Sequence, residues 1–166
     1  MKKLLFSILF IVIATTALYS QNYMRSVGVR AVNGFYVSYR HAYHENMAAE
    51  IFLGYQDRGI RLIAMREFFV PALKQYTDNL HVVYGFGVHA GVSYTNKYQI
   101  FYREYKREEY KYTPIFGLDG YAGLEYQLPN LPIMCAINLK PFFEFSISQY
   151  YKVDALDASF TLRYCF

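Results

Sequence analysis

The chain contains no tryptophan and two cysteines, Cys135 and Cys165, in 166 residues. Two thiols are too few for a disulfide scaffold. An even count in an exported chain invites a single bridge, but strand parity argues against it. Cys135 shares a face with Ile133, Ile137 and Leu139, whereas Cys165 shares one with Thr161 and Arg163. Charge of one sign is also missing: 17 Lys and Arg stand against 13 Asp and Glu, a formal net charge of +4. No basic surface of the kind that binds nucleic acid results. No stretch after Ala17 is long and apolar enough for a membrane-spanning helix of roughly 20 residues. No metal motif is present; His41, His44 and Glu45 read as solvated turn residues. The glycines near 85–91 alternate instead of clustering ahead of a helix, so no phosphate-cradling loop is expected. No cofactor is expected either.

What is present begins at the N-terminus. Lys2 and Lys3 precede an apolar run, Leu4 to Ala14, which is the layout of a secretory signal peptide. Cleavage is expected between Ser20 and Gln21, with a cut after Ala17 as the alternative. Residues 1–20 are then the signal peptide, and residues 21–166 form one domain of near-balanced charge. Without Lys2 and Lys3, the formal charge falls from +4 to +2. The 54% hydrophobic fraction and 20% aromatic fraction, with 19 Tyr and 14 Phe, suit a membrane interface. A tyrosine-rich soluble β-sandwich would share this composition. An exported membrane protein without spanning helices must be a closed barrel.

The mature chain reads as eight alternating strands. Val27, Val29 and Ala31 alternate with Gly28 and Arg30. Asn33-Gly34 marks a two-residue hairpin turn. Phe35, Val37 and Tyr39 face out, with Tyr36, Ser38 and Arg40 in, and His41 to Asn46 reads as a turn. The third strand alternates Ala49, Ile51, Leu53 and Tyr55 with Glu50, Phe52, Gly54 and Gln56, and 56–59 is a tight connection. The fourth sets Ile60, Leu62 and Ala64 outward and Arg61 inward, with Arg66 snorkelling at its end; 70–79 reads as a loop. The fifth strand, 80–94, alternates apolar residues with His81, Gly85, Gly87, His89 and Gly91. The sixth is 114–127, with Asp119 and Glu125 inward. The seventh is 133–146, with Asn138, Lys140 and Glu144 inward. The segment 147–155 reads as a loop, and the eighth strand carries Phe160, Leu162, Tyr164 and Phe166 outward. An even number of strands puts both termini on the periplasmic side. The connections near Asn33-Gly34, 57–58, 95–112 and 147–155 then face outward.

These segments carry a resemblance. Gly28-Val-Arg, Gly34-Phe-Tyr-Val-Ser-Tyr-Arg-His41, Tyr84-Gly-Phe-Gly-Val-His-Ala-Gly91, Gly117-Leu-Asp-Gly-Tyr-Ala-Gly-Leu-Glu-Tyr126, Asn138-Leu-Lys-Pro141 and Leu162-Arg-Tyr-Cys-Phe166 span nearly all of the mature chain. The chain resembles the small eight-stranded outer-membrane barrel proteins common in Bacteroidetes, of general OmpA/OmpX-like shape. The resemblance implies an all-β, up-and-down transmembrane barrel in the outer membrane of a Gram-negative cell, without an attached peptidoglycan-binding domain. It implies lipid and lipopolysaccharide as surroundings. It also implies insertion by the barrel-assembly machinery through Phe160, Leu162, Tyr164 and Phe166. It carries no catalytic residues.

The inward set is charged: Arg30, Arg40, Glu50, Arg61, His89, Asp119, Glu125, Lys140 and Arg163, with His81 and Glu144. An eight-stranded barrel is just wide enough for side chains to fill it, so a packed network is expected, with a narrow solute path as the alternative. A hairpin centred near Glu104 would set His89 opposite Asp119, as if to orient an imidazole. Ser93, the nearest nucleophile on that face, lies four strand residues from His89, roughly 13 Å away, beyond the ~2.6–3.2 Å that activation needs. The expectation is a structural bond and no enzyme, although some outer-membrane barrels modify lipid. The segment 95–112 interleaves tyrosine with both charges and reads as a protruding hairpin. Tyr98, Tyr102, Arg103, Tyr105, Arg107 and Tyr110 are its candidate contacts for an extracellular protein or glycan, since Tyr and Arg concentrate at binding hot spots. The plainer expectation is a tip that meets headgroups and solvent.

Overall fold

The computed structural model describes residues 24–166 except 57, 101–102, 147–149 and 155–156, with no side chain described within 95–109 or 147–156. The expected signal peptide therefore lies outside the described residues. Among the described residues every regular element is a strand: β1 (Arg25–Val32), β2 (Gly34–His44), β3 (Met47–Gln56), β4 (Gly59–Pro71), β5 (Leu80–Ile100), β6 (Arg103–Gln127), β7 (Ile133–Leu139), β8 (Phe142–Ser146), β9 (Tyr150–Asp154) and β10 (Ala158–Cys165). All pairings are antiparallel, and β1 closes the sheet on β10.

Ten segments occupy eight wall positions. β7 and β8 pair successive stretches of the same edge of β6, and β9 and β10 pair β8 and β7 in turn. The seventh wall strand is broken at Lys140-Pro141, where proline has no N–H to give the ladder. Gly120 N–H donates to Pro141 O at 2.7 Å across the break, and the in–out parity survives it. The result is a closed, eight-stranded antiparallel barrel, as the alternation indicates.

Several boundaries differ from the sequence reading. β2 runs to His44, so the turn is Glu45-Asn46 and not 41–46. Val70 and Pro71 belong to β4 and pair with Val82 and His81. Tyr150 to Asp154 is strand β9, not loop. The first hairpin centres on Asn33, with Val32 opposite Gly34. Gly34 does not have positive φ; a Cβ there would strike the Tyr55 carbonyl, so close approach is what selects glycine. Arg58 sits at φ 58° in the connection between Gln56 and its partner Gly59. That left-handed conformation disfavours a side chain by roughly 1–2 kcal/mol.

β5 and β6 have 21 and 25 residues, whereas a tilted strand crosses a bilayer in about 9–11. They stay paired out to Ile100–Arg103, with one register shift between Thr95 and Lys97. The last printed pair, Ile100 opposite Arg103, shows that the hairpin is not centred near Glu104. The protruding hairpin read from the Tyr98–Tyr102 alternation is a continuous extension of the wall, and β9 lies against β5 beside it.

Candidate functional site

Polarity is inverted relative to a water-soluble protein. Along β4 the outward side chains Ile60, Leu62 and Ala64 are exposed, while Arg61 and Glu67 are buried. The same holds on β3, where Ile51 and Leu53 are exposed and Glu50 is buried. All nine residues named for the interior network, Arg30, Arg40, Glu50, Arg61, His89, Asp119, Glu125, Lys140 and Arg163, are buried. Eight of them fall into two layers that share no residue, and Arg30 lies between.

The layer nearer the chain termini joins two guanidiniums to three carboxylates. Arg40 Nε, Nη2 and Nη1 reach Glu50 at 3.1 Å, Glu67 at 2.8 Å and Glu125 at 2.6 Å. Arg163 donates to both Glu50 oxygens, at 3.1 and 2.8 Å, and stands 3.5 Å from Glu125. The fork on Glu50 is bidentate, the arrangement for which a planar guanidinium is suited. Glu67 escaped the sequence reading. Its signal was parity, because it stands six residues from inward Arg61 on the same strand, but its neighbour Arg66 drew the strand end outward.

The second layer is a chain. Tyr36 Oη donates to Gln56 Oε1 at 2.6 Å, and Arg61 Nη1 donates to the same atom at 3.1 Å. Arg61 Nη2 lies 3.0 Å from Glu144. His89 Nε2 is 3.3 Å from Glu144, and Nδ1 is 2.8 Å from Asp119. Lys140 Nζ completes the chain, 2.6 Å from Asp119 and 4.0 Å from Asp157. The expected His89–Asp119 contact is present, but along a diagonal. His89 is registered opposite Gly117, and Asp119 opposite Gly87. The missing side chain at Gly117 gives the imidazole its room, since a Cβ there would strike the His89 ring. A carboxylate oxygen faces each imidazole nitrogen, an arrangement suited to an imidazolium donating at both.

An apolar collar of Phe52, Ile63, Met65, Val83 and Tyr121 lies between the layers, joined by the ring of Tyr36, whose hydroxyl belongs to the second layer. Three strands read alike from one layer to the other. β3 runs Gln56, Gly54, Phe52, Glu50; β4 runs Arg61, Ile63, Met65, Glu67; β6 runs Asp119, Tyr121, Gly123, Glu125. Arg30 sits in the collar with its guanidinium over the rings of Phe52, at 5.4 Å, and Tyr121, at 5.8 Å. The sequence reading set Tyr36 and Phe52 inward but did not name Ile63, Met65, Val83 or Tyr121 there, and so missed this band.

At the terminal end, a cavity of about 170 Å³ lined by Ser26, Arg40, His81, Glu125 and Cys165 opens onto the first layer. His81 is half-buried at its edge. Cys165 is buried and Cys135 half-buried, and both are free. Phe160, Leu162 and Phe166 are exposed on the outer wall, and Tyr164 stacks on Phe166 at 6.4 Å. At the other end the hairpin is anchored by tyrosines. Tyr94 stacks on Tyr110 at 5.3 Å and meets Tyr112 in a tilted contact at 4.8 Å. Of the candidate contacts, Tyr110 alone has a described side chain. Tyr102 lies outside the described residues, and Tyr98, Arg103, Tyr105 and Arg107 are placed by backbone only, with Tyr98 opposite Tyr105.

The fold has a solved counterpart. It is similar to the N-terminal β-barrel domain of Pseudomonas aeruginosa OprF. The crystal structure of that domain aligns with a TM-score of 0.56 at 9% sequence identity, over 86% of this chain and 95% of that one. At this identity the likeness concerns the fold alone. No protein-family model and no curated protein matches the chain.

Proposed function

We propose that this protein is an integral outer-membrane β-barrel whose interior is closed by its own side chains, with a structural or surface-contact role exercised through the 95–112 hairpin. The observation that carries this reading is the inverted polarity: exposed apolar side chains on the outer wall enclose a buried ionic interior. In water such a wall would associate without limit, whereas in lipid it is the stable arrangement. The similarity to the OprF barrel supports the outer membrane as the location. Residues 1–20 are proposed to direct export, and the outward aromatics of β10 to engage the insertion machinery. The proposed contact class for the hairpin is an extracellular protein or glycan.

The interior favours a plug over a pore, because the collar interrupts the polar path between the two ionic layers. The runner-up, a narrow channel for small solutes, draws on the mouth cavity that reaches Arg40 and Glu125. We assign no enzymatic role, since both His89 nitrogens face carboxylates and neither presents a lone pair to a substrate. The test is twofold. Protein refolded into planar bilayers should show no conductance steps, and a steady single-channel current would establish the channel reading instead. A photo-reactive residue at Tyr105 in intact cells should then yield one dominant protein or glycan adduct. A smear of headgroup adducts would leave a purely structural role.

A further inference from the structure

The outer wall carries a built groove at the hairpin end. It is about 730 Å³ and is lined by Tyr55, Arg58, Ile60, Leu62, Ala90, Val92, Tyr94 and Tyr112, with Gly59 and Gly91 in its floor. Its composition is graded along the wall. Ile60, Leu62, Ala90 and Val92 form an apolar stretch, Tyr94 and Tyr112 border it, and Arg58 caps it. Among the described residues the lining holds one cation and no carboxylate.

Arg58 is held in place. Its carbonyl accepts from Tyr94 N–H at 3.2 Å, which ties the turn to β5. Its guanidinium lies 5.7 Å from the Tyr110 ring centroid, and Nη1 donates to Tyr110 Oη at 3.3 Å. Those contacts leave most of its five donors for another acceptor. A second observation is independent of the groove. Arg58 occupies a left-handed position, φ 58°, in a tight turn where glycine or asparagine would fold at lower cost. A side chain carried at a strained turn position points to a use of that side chain.

We propose that this groove is a binding site for one phosphorylated glycolipid of the outer leaflet, with an acyl chain along Ile60, Leu62, Ala90 and Val92, sugar on Tyr94 and Tyr112, and a phosphate on Arg58. The inference rests on the outer-membrane reading and on the hairpin end facing outward. Charge complementarity selects the occupant: a lone guanidinium above an apolar trough matches an anionic headgroup on acyl chains. A neutral lipid would leave Arg58 unused, and free phosphate would leave the trough unused.

The experiment is native mass spectrometry of the protein released from detergent micelles doped with bisphosphorylated lipid A. One retained lipid A is expected on the wild-type chain. Arg58→Gly should weaken that adduct by about tenfold, the factor that a lost charge-assisted hydrogen bond carries. This variant should fold at least as well, because glycine relieves the positive φ. Arg66→Gln, on the same wall toward the opposite end, should retain the adduct. Excess inorganic phosphate should not displace it. Equal retention by Arg58→Gly and wild type, displacement by phosphate, or no preference over zwitterionic phospholipid would overturn the proposal. A heat-dependent shift on a denaturing gel, run on each sample, separates the two levels. Its absence would sink the barrel reading itself, whereas a shifted barrel that retains no lipid A sinks this inference alone.

Discussion

Replacing Arg40 with methionine tests whether the interior is dry. Arg40 faces Glu50 at 3.1 Å, Glu67 at 2.8 Å and Glu125 at 2.6 Å. With an effective dielectric constant near 20, each pair contributes about 5–6 kcal/mol of gross attraction. Most of this offsets the removal of four charged groups from water. What remains decisive is the state after the substitution. Two guanidiniums against three carboxylates become one against three, and the layer goes from a formal −1 to −2. Breaking one buried pair costs about 3–5 kcal/mol, and Arg40 serves three partners, so a loss of at least ~4 kcal/mol is expected. The assay is urea unfolding of barrels refolded into phospholipid vesicles, read by tyrosine fluorescence and by gel mobility. Lys74→Met, exposed on the 72–79 loop, should stay within ~0.5 kcal/mol of wild type. Adding Glu67→Gln to Arg40→Met should recover part of the loss by restoring the formal charge of −1. If Arg40→Met costs under ~1 kcal/mol, water is solvating the orphaned carboxylates, and the closed interior is wrong.

Three further outcomes follow from the same geometry. Gly117→Ala drives a methyl group into the His89 ring and should destabilise by about 1–3 kcal/mol, as overpacking does; an unchanged urea midpoint would refute the tight fit. Phe52→Ala combined with Tyr121→Ala removes two rings of the collar and should create conductance in planar bilayers, against the silence expected of the wild type. If the doubly substituted barrel stays folded and silent, the collar is not the barrier. In a Cys135→Ser, Cys165→Ser background, a membrane-impermeant thiol reagent should label Tyr105→Cys but not Asn130→Cys in intact cells. The reverse pattern inverts the orientation and removes the outer-leaflet lipid from the groove.

The wall was legible because a strand has a period of two, and its outer side is apolar over long stretches. Ile60, Leu62 and Ala64 against Arg61 fixes a face without any tertiary knowledge. Parity continued to hold through Lys140-Pro141, where the ladder breaks. Turn positions were less legible, because they depend on which carbonyl approaches which glycine. Asn33-Gly34 pointed to a two-residue turn through a preference for positive φ, whereas Gly34 is fixed by the Tyr55 carbonyl. Register across β5 and β6 was displaced by two residues at His89, because Ile100 pairs with Arg103 and a bulge between Thr95 and Lys97 alters the count below it. The grouping of charges was not legible at all. Arg163 and Glu50 are 113 residues apart, and nothing local tells which of six carboxylates a guanidinium will meet. The collar was hidden for a related reason. Ile63 and Met65 share the outward face's composition, and only their parity with Arg61 and Glu67 places them inside.

The buried charges constrain the register more firmly than they need to stabilise the fold. Five basic side chains, Arg30, Arg40, Arg61, Lys140 and Arg163, and six acidic ones, Glu50, Glu67, Asp119, Glu125, Glu144 and Asp157, are buried among the described residues. With His89 as an imidazolium the two signs balance. Arg30, set in the collar, offsets the surplus carboxylate of the terminal layer. Well-packed apolar residues could fill the same volume at comparable stability. They would leave the inner and outer faces of each strand alike, and a strand slipped by one residue would then be nearly as good. With charges inside, such a slip turns them toward lipid, where each Arg or Lys near the midplane costs about 2–4 kcal/mol. A slip in β4 alone would expose Arg61 and strip Glu144 and Arg40 of partners on two other wall strands. The ion pairs therefore make closure an all-or-none event, and Arg40–Glu125 and Arg163–Glu50, which join strands far apart in the chain, penalise any barrel closed in another register.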